Sequence, residues 1–164
     1  MAIALLTLAV VGTAAFGAVV GLGFRLAGDP RLMRAHFLAA LGATTLLVMA
    51  HSFIMFFLIA TGVEMKEMEK ARGWGDSFRR RIIAFKSQAF PAMTSALLLV
   101  MANFILGAAA HTRVIPYWAH GAVGVLTFAV CALALYREYR VLGDNNRLIA
   151  EAAARRRSDG SGTK

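Results

Sequence analysis

The sequence predicts an all-α integral membrane protein built as a bundle of four transmembrane helices, and three observations carry that prediction. Only 16% of the 164 residues are charged and 59% are hydrophobic, whereas a soluble domain has roughly 25% charged residues. Four long stretches contain no Asp, Glu, Lys or Arg, and the cations collect in the short segments between them. A mean hydropathy of +0.62 agrees.

The stretch Ala35 to Val63 organises the rest. It runs 29 residues without a charge, and about 20 apolar residues suffice to cross a bilayer core. The run before it, Met1 to Phe24, has no Lys or Arg ahead of Arg25. A signal peptide wants a basic start, so this run reads as the first transmembrane helix. Thr13, Gly17 and Gly21 recur every four residues and predict a flat strip for a sibling helix of the same chain. Between the two runs, Arg25 to Arg34 reads as a polar turn broken by Gly28, Asp29 and Pro30.

After the second span comes a charged connection, Glu64 to Lys86. Within it Phe78, Ile82 and Phe85 fall at i, i+4 and i+7 beside Arg79, Arg80 and Arg81, the pattern of a short interfacial helix lying among headgroups. The third span, Ser87 to Thr112, carries Pro91 near its start, which predicts a bend at the junction. Val114 to Tyr136 is the fourth, with Pro116 in a first-turn position and Tyr117 and Trp118 as an aromatic belt. Gly143 and Asp144 read as a turn, followed by a tail helix from about Asn145 to Arg157 and a Ser/Gly-rich end. The expected division is a transmembrane domain over 1–142, with spans near 2–24, 35–62, 87–111 and 116–137, and a basic cytoplasmic tail over 143–164.

Basic residues then predict orientation. Seven Lys/Arg lie in the 64–86 connection and seven after Tyr136, against Arg25, Arg31, Arg34 and Arg113 on the other face. Both termini are expected in the cytoplasm, in a bacterial inner membrane. The net charge of +9 follows from this topology, so nucleic acid is not an expected partner. The lone Cys131 sits mid-span and reads as a small core residue.

Soluble-enzyme motifs are missing, and the sequence puts no acidic residue inside the expected spans, which argues against a carboxylate-based ion path. Histidine remains. His36 opens the second span, His111 closes the third and His120 lies one turn into the fourth, so three helices bring histidines to one face. Two facing imidazoles are what a b-type haem iron needs. His36 with His120 is the expected pair, with His111 as substitute, Arg34 and Arg113 available to propionates, and Ala39, Ala40, Ala43, Gly107 and Gly124 leaving room. Four-helix b-type cytochrome subunits share this general design, an analogy of architecture alone.

The same histidines also admit plainer roles. They can cap helix ends or meet interfacial water, or hold Zn²⁺ or Cu²⁺ as a trio. His51 lies deeper and has no histidine at its depth, so it reads as a structural polar residue bonded to Asn103. Two functions follow. The first is a small subunit of a membrane redox complex, holding haem b or packing beside a quinone-reactive partner. The second is a non-catalytic accessory or assembly subunit among other membrane subunits.

Overall fold

A computed structural model of the chain describes residues 1–25 and 29–161. It is a four-helix bundle: α1 Ala2–Gly23, α2 Pro30–Arg72, α3 Ser77–His111 and α4 Tyr117–Ser161. All four are long and apolar enough to cross a membrane. Short connections make sequence neighbours antiparallel, and α4 returns against α1. The pairs α1–α3 and α2–α4 therefore lie on the diagonals, and α2 runs parallel to α4.

Small residues set the spacing. Gly12 lies against Leu47 and Gly23 against the His36 ring, which fixes one antiparallel register for α1 and α2. Of the expected strip, Thr13 is buried and a Cβ on Gly17 would press into Phe128 at 2.8 Å, but Gly21 faces open space. The strip thus serves packing within the chain over part of its length. The core is aliphatic and small: Phe16, Ala43, Leu47, Ala96, Val100, Cys131 and Ala134 fill one half, and Ala50, Ile54, Leu58, Ala89, Met93 and Val141 the other.

Three helices are longer than a bilayer core. At 1.5 Å per residue, the 43 residues of α2, the 35 of α3 and the 45 of α4 span roughly 65, 53 and 68 Å, against a hydrocarbon core of about 30 Å. The amphipathic stretch near Phe78 is the first part of α3 and not a separate element, and α3 continues through Pro91 as one helix. Likewise α4 passes through Gly143 and Asp144 without the expected turn. Gly143 is exposed, and nothing approaches the place of its missing Cβ. Of the expected Ser/Gly-rich end, 158–161 belongs to α4, and 162–164 lies outside the described residues, as do 26–28 of the first turn.

What keeps α4 helical so far out is a second small core. Met65 of α2, Phe78 and Ile82 of α3, and Leu148 and Ala152 of α4 pack together with Trp74 at their edge. Trp74 Nε1 donates to Asp159 Oδ2 at 2.7 Å, and the Arg155 guanidinium lies 4.9 Å from the indole centre. Arg81 donates to Glu151 at 2.6 Å. The α2–α3 turn is closed by Gly73 in the left-handed region (φ 64°). The buried Glu69 carboxylate of α2 then accepts from Phe78 N at 2.7 Å, which caps α3 from a neighbouring helix.

Trp74→Ala removes the group that Asp159 and Arg155 hold. Amide exchange over 148–159 should then speed up while 117–137 stays as protected as before. Unchanged protection over 148–159 would show that the tail does not depend on this contact.

Candidate functional site

The diagonal between α2 and α4 carries the polar chemistry of the bundle. These helices barely touch through their backbones, yet three pairs of polar side chains meet across the gap at three depths.

The outermost pair is His36 with His120. Asp29 starts α2 by accepting from Arg31 N at 2.8 Å, with Pro30 in the first helical turn, and His36 follows two turns on. Its ring rests on Gly23 of α1, where a Cβ would lie 3.2 Å from Cε1. The His120 ring rests in the same way on Gly107 of α3, again with 3.2 Å to Cε1. Each imidazole is thus cradled by a glycine from the helix preceding its own. The ring centres are 6.3 Å apart and the planes stand at 83°. Both Nδ1 atoms are buried with no hydrogen-bond partner among the described residues.

His111 closes α3 at the same end but is exposed. Arg34 and Arg113 are exposed there too, and neither forms an ion pair among the described residues. Arg113 sits in the left-handed region (φ 61°) where α3 terminates. Among the described residues no group of three or more His, Cys, Asp or Glu could hold a metal ion, so three histidines do not assemble as a Zn²⁺ or Cu²⁺ site.

The middle pair corrects the sequence reading. His51 does not bond to Asn103. Its Nδ1 lies 2.5 Å from Oε1 of Glu138, and both residues are fully buried. Asn103 sits beside Gly124, with its Oδ1 unpartnered among the described residues. Glu138 looks in sequence like the start of the charged tail, because Arg137 and Arg140 flank it. The helix turns those arginines away, and Glu138 points inward. It stands level with His51, roughly 22 Å along the axis from His36. An acidic residue is therefore fully buried in the bundle, one position beyond the expected end of the fourth span. Its Oε2 and the Nε2 of His51 are buried and unpartnered among the described residues.

The third pair is Asn145 with Thr61, both buried, with Nδ2 donating to Oγ1 at 3.4 Å. A signal for both missed partners was present. Cys131, Ala134, Glu138, Val141, Asn145, Leu148 and Ala152 are spaced by alternating steps of three and four, and all are buried. That stripe runs straight through the supposed turn at Gly143.

Known protein families, curated proteins and solved structures offer no match to this chain. The site must be read from its own geometry. A buried imidazole beside a buried carboxylate tolerates the loss of both partners better than the loss of one.

His51→Ala or Glu138→Ala alone should therefore destabilise the detergent-solubilised protein by about 3–5 kcal/mol, while His51→Leu with Glu138→Leu should recover most of that loss. Thermal denaturation in one detergent measures both. Single variants that lose under about 1 kcal/mol would mean that the pair carries little of the bundle's stability.

Proposed function

We propose that the chain is a small integral membrane subunit of a redox complex, holding one b-type haem between His36 and His120. The observation that carries this reading is the spacing of the two rings. Iron ligated by two imidazoles holds the ligating nitrogens about 4 Å apart, and the ring centres about 6 Å apart. The centres here are 6.3 Å apart. Perpendicular planes are compatible, because ligation constrains the direction of each ring's bond to the metal and not the angle between the two ring planes.

The residues around the pair support the same reading. Gly23 and Gly107 let the Cε1 edge of each ring come close to a helix backbone, which helps hold the ring in place. Each ring keeps a buried Nδ1 with no hydrogen-bond partner among the described residues. Arg34 and Arg113 supply cations at the same end for propionate groups. When bound, the haem would supply one-electron carriage, and a quinol and an acceptor at that face are the proposed partners. His36 and His120 hold and orient, and the aliphatic core beneath them excludes water. The same proposal puts both termini in the cytoplasm of a bacterial cell, on the charge asymmetry of the connections.

A second reading, a non-catalytic accessory or assembly subunit, is favoured by the three-helix extension of α2, α3 and α4 beyond the bilayer. It offers a protein-sized surface without need of a cofactor.

Absorbance separates the two. Purified protein reconstituted with haem should give a reduced-minus-oxidised α-band. His36→Ala and His120→Ala should each abolish it, and His111→Ala should keep it. A colourless protein that takes up no haem supports the accessory role. For orientation, a reporter active only in the cytoplasm should work after Lys164 and fail at Asp29; activity at Asp29 would reverse the topology.

A further inference from the structure

Where α2 and α3 leave the bilayer on the side of the termini, a groove of about 190 Å³ opens between them. Its floor is apolar, formed by Gly62 and Val63 of α2 and Ile82 and Ile83 of α3. Its rim carries Lys66, Arg79 and Lys86. None of the three forms an ion pair among the described residues, although Arg80 and Arg81, next to Arg79 in the chain, do. Three like charges around one depression repel each other, and such an arrangement is relieved by an anion.

The depth of the groove says which anion. Gly62 and Val63 are the last residues of the charge-free run of α2, and Lys86 stands immediately before the charge-free run of α3. Both helices thus change from apolar to cationic at the level of the groove, where phospholipid phosphates lie. Gly62 completes the site. Its missing side chain lets Lys86 lie across the α2 backbone, and a Cβ there would come within 2.7 Å of Lys86 Nζ and 2.9 Å of Ile82 Cγ2. We propose that this groove binds an anionic phospholipid, with the phosphate held by Lys66, Arg79 and Lys86 and the first acyl carbons against Val63 and Ile83.

The proposal is independent of haem, and its test needs none. The full-length protein in a zwitterionic detergent is titrated with phosphatidylglycerol, phosphatidylcholine or inorganic phosphate. Thermal shift gives the apparent affinity, and native mass spectrometry counts retained lipid. Phosphatidylglycerol should raise Tm and be retained, while the other two should do neither. K66Q/K86Q should weaken the phosphatidylglycerol response about tenfold or more, since each basic residue at a membrane surface contributes on the order of 1 kcal/mol. Gly62→Ala keeps every charge but displaces Lys86, and it should weaken the response too. R156Q/R157Q, which removes two cations far along α4, should leave it unchanged. R79Q serves as the single-site variant should K66Q/K86Q fail to fold. Equal responses to the two lipids, or a wild-type response from Gly62→Ala, would overturn the site. So would an equal loss in R156Q/R157Q. A shift as large with inorganic phosphate as with phosphatidylglycerol would overturn the lipid as occupant.

Discussion

An imidazole and a carboxylate 2.5 Å apart, both shut away from solvent, set the geometry of the rest of this bundle. In a hydrocarbon medium an unpaired polar group has nowhere to turn, so His51 and Glu138 each need the other. They stand on diagonal helices that share almost no backbone contact. Meeting at one depth therefore fixes the axial position of α4 against α2, something apolar packing alone specifies poorly. Once those two helices are in register, Asn145 reaches Thr61 on one side and His120 comes beside His36 on the other.

Close approach is the second requirement. Polar side chains can span a diagonal only if the helices between them draw in tightly. Gly12, Gly17, Gly23 and Gly107 do this, each receiving a side chain of a neighbouring helix where a Cβ would crowd it. Alanines finish the work, with Ala9, Ala50, Ala89 and Ala134 fully buried. The core is made of small residues because lipid gives no hydrophobic reason for helices to associate, and contact must come from fit.

The number and order of the apolar helices were legible in the sequence, since charge-free runs have one physical explanation. That His36 and His120 come together was legible too: a histidine near the start of the second span and one near the start of the fourth fall at matching depth whenever α2 and α4 run parallel. The partner of His51 was not. In a membrane segment apolar residues cover the outside as well as the core, so polarity does not reveal which face is buried, and Glu138 hid among surface arginines. Gly143 misled for a different reason. A glycine beside Asp144 has the chemistry of a turn, but packing of Val141, Leu142 and Leu148 holds the chain helical through it.

That continuity makes α4 a mechanical part. From His120 to Asp159 the helix extends roughly 58 Å with no break. One end lies at the His36–His120 pair, and the other is fastened to Trp74 at the opposite end of the bundle. A rod held at both ends and at two depths between them couples the positions of all four contacts. Gly143 is exposed with nothing against the place of its Cβ, so the continuity of the rod at that point rests on its packed neighbours Val141, Leu142 and Leu148.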